Sequence, residues 1–111
     1  MKADYITSAT ALPPYLAYPR FLLTMNMKPI TKVVYAVLLD AAMCAQNWDK
    51  QERRYAAISV DDIAGIIDRT PATVRHALNE LDGTGLVERM PISYKAPARI
   101  YVKLPSSEDV K

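Results

Sequence analysis

The sequence is poor in the residues that support covalent or metal-based stability, and it lacks long apolar runs. It has one cysteine and one histidine among 111 residues, so an intrachain disulfide is excluded and a zinc cage has too few soft ligands. No apolar run is long enough to span a membrane, and the start of the chain lacks the charged and then apolar order of a signal peptide. These absences predict a cytoplasmic protein that uses no cofactor.

The sequence also lacks a large excess of charge of one sign, because its formal net charge is only +2. Its distribution is more informative: residues 69–103 carry six basic and three acidic side chains. This excess suits contact with phosphate groups, although an excess of that size often arises by chance. Half of the residues are apolar, which favours one folded domain over disorder.

Two helix-start signals follow each other closely in the second half of the chain. Ser59 can cap a helix and has Asp62 three residues later, as in a capping box. Thr70 can cap the next helix, with Pro71 at the first helical position, where a missing N–H costs nothing. A short helix, a tight turn and a second helix form the helix–turn–helix layout, in which the second helix enters the DNA major groove.

The segment after this second helix predicts a β-hairpin. Gly83 and Gly85 end the helix, and residues 86–90 and Arg99–Leu104 follow as two strands. Apolar and polar side chains alternate in the second strand, which places Tyr101 on its exposed face. A hairpin directly after a recognition helix is a wing.

The other segments complete the outline. Residues 1–14 predict an extended N-terminal arm, and residues 106–111 predict a polar tail. Residues 15–23 are aromatic and aliphatic and predict a short strand, which a proline either places at a sheet edge or breaks. Residues 29–45 are the longest helix candidate, and residues 55–59 predict a short strand before the first capped helix.

The second capped helix has one apolar face and one polar face. Its apolar face consists of Val74, Ala77, Leu78 and Leu81, and the opposite face and flanks carry Ala72, Thr73, Arg75, His76 and Asn79. Asn can bond adenine and Arg can bond guanine with two hydrogen bonds each, and Thr can contact a thymine methyl or a phosphate. Any exposed helical face is polar, so solvated surface is the alternative for these residues.

Three further residues raise other possibilities. His76 could suggest a catalyst or a pH switch, but the sequence places no nucleophile with an orienting acid near it, so we expect no enzyme. Cys44 lies near the end of an apolar helix and is predicted to be a buried small side chain. Trp48 either covers an edge of the core or anchors an interface.

The wing has two interpretations of equal weight. Lys95 and Arg99 beside Tyr94 could reach the DNA backbone or the minor groove, which attracts basic side chains. Alternatively, basic residues on an edge hairpin discourage edge-to-edge aggregation.

Several segments together carry a resemblance to a known family. They are Tyr18–Leu22, Thr31–Asp40, Asn47-Trp48, Tyr55, Ile58-Ser59, Thr70–Leu81, Gly85–Arg89 and Arg99–Lys103. With these segments the chain resembles the N-terminal domain of RepA-type plasmid replication initiators, the RepA_N family. The wing departs from the family pattern, because Met90–Pro97 lacks the usual glycine-rich basic stretch.

The resemblance implies a winged helix that binds repeated origin DNA, usually as a dimer. It assigns DNA contact by position to Arg75, His76 and Asn79, and a role in the dimer contact to the segment before the first long helix. The dimer residues implied are Tyr15, Leu16, Tyr18, Phe21 and Leu22. Family initiators continue into a region that engages host replication proteins, so the chain is either a domain of such an initiator or a stand-alone relative.

We therefore predict an α+β, winged helix–turn–helix domain over residues 15–105 that binds double-stranded DNA sequence-specifically. The DNA-contacting residues predicted are Arg69, Thr70, Thr73, Arg75, His76, Asn79, Tyr94, Lys95 and Arg99. Two alternatives remain: a stand-alone transcriptional or conjugation regulator of a mobile element, and a winged-helix protein-interaction module without a DNA role.

Overall fold

The computed structural model describes residues 2–44, 47–90 and 99–106. In this part of the chain a 3₁₀ helix, three α-helices and three strands follow in an order that confirms the α+β, winged helix–turn–helix class. The elements are the 3₁₀ helix Arg20–Thr24, α1 Pro29–Cys44, β1 Tyr55–Ala56, α2 Val60–Ile67, α3 Pro71–Thr84, β2 Val87–Met90 and β3 Arg99–Val102. No helix among the described residues is both long and apolar enough to cross a membrane.

Helix α1 forms the centre of the core, as its apolar spacing predicts. Val34, Tyr35 and Leu38 are fully buried, and the helix contacts all three layers around it, α2, α3 and the sheet. The Tyr35 hydroxyl donates a hydrogen bond to the backbone carbonyl of Lys103, with 2.7 Å between the oxygens. Burial raises the pKa of Tyr35 to about 12, so this hydroxyl stays protonated and the bond ties α1 to the end of β3.

Both predicted helix caps are confirmed. The Asp62 backbone N–H donates to Ser59 Oγ at 3.0 Å, and the reciprocal bond completes a capping box at α2. The Thr73 backbone N–H donates to Thr70 Oγ1 at 3.3 Å, and Pro71 opens α3. Between the helices Asp68 adopts the left-handed conformation at φ 56°, which ends α2 and lets α3 start after three residues.

Helix α3 runs one residue beyond the first of its two glycines, which corrects the prediction that both end it. Gly83 is helical, whereas Gly85 is the C-terminal cap at φ 82°. A left-handed residue in this position lets a backbone N–H bond back to the last helical turn, and glycine adopts this conformation without steric cost. The Gly85 N–H donates to the Asp82 carbonyl at 3.1 Å.

The sheet is antiparallel with β3 in the middle, between β1 and β2. Its inner face packs on the helices through residues such as Ile100 and Val87. Tyr101 is on the outer face, but it is only 9% exposed, so the prediction that it faces solvent is wrong. It is covered because β1 supplies Tyr55 edge-on at 5.6 Å between ring centroids, and the Arg53 guanidinium lies 5.1 Å from the Tyr101 ring centroid.

The segment before α1 is a 3₁₀ helix where the sequence predicted a strand. Pro19 precedes it and accepts a hydrogen bond from the Leu22 N–H at 3.1 Å, the short-range bond of a 3₁₀ turn. This turn buries Leu22 completely and sets Phe21 edge-on against Tyr35 at 5.7 Å between ring centroids. Residues 2–18 contain no helix or strand, and their side chains are exposed.

Cys44 is also placed differently from the prediction. It is the last residue of α1 and is exposed rather than buried. Its thiol is 3.4 Å from an Asp40 carboxylate oxygen, and the hydrogen bond with this neighbouring negative charge raises the pKa of Cys44. The thiol is therefore less nucleophilic than a free cysteine.

Candidate nucleic-acid interface

The outer face of α3 is open among the residues that the structure describes. Val74, Ala77, Leu78 and Leu81 are buried against the core, which confirms the predicted inner face. Arg75, His76 and Asn79 are exposed on the other side. Among the described residues, Arg75 and His76 have no hydrogen-bond or ion-pair partner, so their polar atoms are available to an external ligand.

The three predicted residues at the start of α3 lie next to this face and are more constrained. The Arg69 side chain donates to the Asp68 carbonyl at 3.1 Å. The hydroxyls of Thr70 and Thr73 are 3.0 Å apart, and the Thr70 oxygen also caps the helix. The threonine hydroxyls therefore hold the helix start, while Arg69 remains exposed and able to turn outward.

One flank of α3 is attached to the start of α1 through Glu80. Its carboxylate accepts hydrogen bonds from Thr31 Oγ1 at 2.5 Å and from the Lys28 backbone N–H at 3.4 Å. Because the N–H groups at a helix start have no partners within the helix, Glu80 acts as a cap supplied by another helix. It also gives the buried Thr31 hydroxyl its partner, and the Lys28 side chain and His76 line the shallow groove beside it.

The other flank of α3 is attached to the wing strand β2 through Arg89. The Arg89 Nε donates to Asp82 Oδ2 at 2.5 Å, and Nη2 forms an ion pair with the same carboxylate. Arg89 Nη2 also donates to Asn79 Oδ1 at 2.9 Å. Sequence reasoning missed both Glu80 and Arg89, because contacts across 49 and 10 residues leave no periodic signal.

The predicted wing residues are only partly covered by the structure. Tyr94 and Lys95 lie outside the described residues. Arg99 begins β3 and lies over the Tyr55 ring, 4.6 Å from its centroid. It is therefore directed toward β1, whereas β2 is the strand that packs on α3, and the structure does not bring Arg99 together with Arg75 or Asn79.

A second basic and aromatic cluster lies on the outer face of the sheet, and sequence reasoning missed it. This outer sheet cluster consists of Trp48, Asp49, Arg53, Arg54, Tyr55, Arg99 and Tyr101. Three arginine–ring stacks hold it together, including Arg54 at 5.4 Å from the Trp48 ring centroid. Burial works to raise the pKa of Asp49, but hydrogen bonds from the Arg53 backbone and side chain outweigh it and lower the pKa to about 2.

The predicted dimer residues divide into two groups. Tyr15, Leu16 and Tyr18 are 75%, 41% and 42% exposed and are available to a partner. Phe21 is partly buried against Tyr35, and Leu22 is fully buried in the core. The last two side chains therefore anchor the segment to its own chain.

The described residues contain no group of three side chains that could hold a metal ion. Three α-helices, a tight turn before α3 and a β-hairpin after it define a winged helix–turn–helix domain.

Comparison with known proteins narrows this class to a family. The chain belongs to the RepA_N family, the N-terminus of replication initiator protein A (RepA), which matches residues 14–109. The sequence has no significant match among curated proteins.

Three solved structures share the fold at low sequence identity. One, described as the N-terminal domain of a DNA-binding protein, has 17% identity and a TM-score of 0.71, covering 94% of this chain and 86% of the other. An MDR initiator has 19% identity and a TM-score of 0.69, with 84% and 78% covered. A Rep–DNA complex has 18% identity and a TM-score of 0.69, with 83% and 76% covered.

Proposed function

We propose that this chain is a sequence-specific double-stranded DNA-binding domain that acts in replication initiation of a plasmid or another mobile element. The observation that carries the proposal is the open outer face of α3, where Arg75 and His76 bond to none of the described residues and lie in the position of a recognition helix. Membership of the RepA_N family supports the role in initiation. Binding is non-covalent in this proposal and involves no catalytic step or cofactor.

The charges around α3 suit a polyanionic partner. Arg69 is exposed just before the start of α3, and Lys28 is exposed along the flank that carries Glu80. The acidic residues of α3, Glu80 and Asp82, lie on its flanks and are bonded to the start of α1 and to Arg89. Basic side chains that face the DNA can bind phosphates and so fix the register of the helix in the groove. The outward side chains of α3 can then contact base edges, because the acidic side chains are bonded on the flanks.

We also propose that the protein works as a homodimer in the cytoplasm. The exposed aromatic side chains of Tyr15 and Tyr18, with Leu16, support a contact with a second copy, since clustered exposed aromatics are typical of interfaces. Two copies place two recognition helices on neighbouring half-sites. Within a longer initiator, host replication proteins are further partners.

Two other functions use the same fold. A stand-alone regulator of transcription or conjugation in a mobile element requires the same α3 face. A protein-interaction module without a DNA role instead uses the outer sheet cluster, whose exposed Trp48 is 49% accessible.

Fluorescence anisotropy with a labelled duplex of mixed sequence, measured over a range of salt concentrations, tests DNA binding. A protein that contacts phosphates loses affinity with a log–log slope of about 0.9 per contact on B-DNA. The control is the chain with Trp48→Ala, which leaves α3 unchanged and retains binding. No binding at low salt contradicts the proposal and favours the interaction module.

A further inference from the structure

Asn79 is not a free side chain on the α3 face, because Arg89 of β2 holds its amide oxygen. Arg89 Nη2 donates to Asn79 Oδ1 at 2.9 Å. A guanidinium has five N–H donors and no acceptor, so the amide atom that faces it must be the oxygen. The Asn79 NH₂ group therefore points away from Arg89, and it has no other partner among the described residues.

Arg89 is itself fixed in place. Its Nε donates to Asp82 at 2.5 Å and its Nη2 forms an ion pair with that carboxylate. Asn79 and Asp82 are three residues apart and so lie on one ridge of α3. The planar fork of Arg89 bonds to both residues, so its guanidinium is held at two points although the Arg89 and Asp82 side chains are 36% and 34% exposed.

We propose that Arg89 is a positioning residue that presents Asn79 to DNA as a hydrogen-bond donor, and this inference rests on the proposed DNA recognition by α3. A base contacted by the NH₂ group must offer an acceptor in the major groove. Adenine N7, guanine N7 and O6, and thymine O4 do so, whereas cytosine presents only its N4–H₂ donor. The structure thus assigns to the wing strand a part in base selection through α3.

Asn79→Asp tests this directly, because it keeps the shape and the bond from Arg89 but replaces the outward donor with an acceptor. Duplexes selected from a random pool by the wild type are expected to exclude cytosine at one position. The N79D variant is expected to prefer a donor-bearing base there, cytosine or adenine. The preference should change by about 5-fold or more, the net effect of one hydrogen bond.

Arg89→Met tests the positioning role. It should weaken the preference at that same position without reversing it, and it should have no such effect when Asn79 is already replaced by alanine. The matched control is the same substitution in an Arg75→Ala background. There Arg89→Met should still weaken the preference, since Arg75 has no contact with Arg89. Circular dichroism and urea titration separate these changes from loss of folding.

The two levels of the proposal fail differently. If the wild type binds no duplex, the proposed function is overturned and this inference with it. If the wild type binds and selects a site, but N79D selects the same bases at every position, only the positioning role is overturned. An effect of Arg89→Met that persists in the Asn79→Ala background also contradicts it.

Discussion

Replacing Arg75 with alanine isolates the DNA contact from the fold. Arg75 is exposed and bonds to none of the described residues, so its removal should change the free energy of unfolding by less than about 0.5 kcal/mol. Loss of a bidentate guanine contact should instead cost about 1–3 kcal/mol of binding. At about 1.4 kcal/mol per tenfold, Kd should rise roughly 5- to 150-fold.

The salt dependence then shows which group Arg75 contacts. A base contact leaves the log–log salt slope unchanged, whereas a phosphate contact lowers it by about 0.9. Arg75→Lys adds a second distinction, because lysine can replace arginine at a phosphate but cannot reproduce the planar fork on guanine.

The control is Lys50→Ala, which removes one positive charge from the loop before β1. Anisotropy titrations on the selected duplex should show it binding as the wild type does. An Arg75→Ala variant that folds normally and binds with unchanged affinity contradicts the proposed contact, and so does an equal loss of affinity in Lys50→Ala.

Four further substitutions test the scaffold. Tyr35→Phe should lower the free energy of unfolding by about 1 kcal/mol in urea denaturation, because the partly buried Lys103 carbonyl loses the hydroxyl that donates to it. Equal stability would show that water replaces the hydroxyl. Gly83→Ala should stabilise by about 0.5–1 kcal/mol, since the site is helical and a Cβ there meets nothing within 4 Å. A Cβ at Gly85 also meets nothing within 4 Å, but the backbone there is left-handed at φ 82°, so Gly85→Ala should destabilise the protein by about 1–2 kcal/mol. If both glycine variants change the free energy of unfolding in the same direction, Gly85 is not the helix cap. The pKa of Asp49 is lowered from 3.8 to about 2 in the folded protein, so its ionised carboxylate stabilises the fold fully above about pH 3.8 and this stabilisation is lost as the pH falls toward 2. Asp49→Asn should therefore flatten the dependence of the free energy of unfolding on pH between these values. An unchanged dependence contradicts the hydrogen bonds assigned to Asp49.

Local signals explain why much of the fold was predictable. Ser59 and Thr70 each cap a helix by bonding the backbone three positions further on, so the chemistry of the caps is visible in the sequence. The core face of α3 and the helix α1 follow from spacing alone. The 3₁₀ helix was not predicted because the apolar run that forms it is short. Periodicity in so short a run does not distinguish a strand from a helical turn whose buried residue is Leu22.

The parts of the site that were missed all depend on contacts between elements. Glu80 and Arg89 could be read only as surface charges, because nothing in their spacing shows that one caps α1 and the other bonds Asn79. Tyr101 follows the alternation of its strand, yet it is covered by Tyr55 and Arg53 from a neighbouring strand and loop. Strand alternation predicts which face a side chain occupies, but not what covers that face.

The proposed function places DNA on α3 rather than on the outer sheet cluster. Backbone amide chemical shifts recorded while the selected duplex is titrated into the protein test this most directly. The largest changes are expected over residues 69–79, with small changes at Arg53, Tyr55 and Tyr101. The largest changes at those three residues, with α3 unaffected, would contradict it.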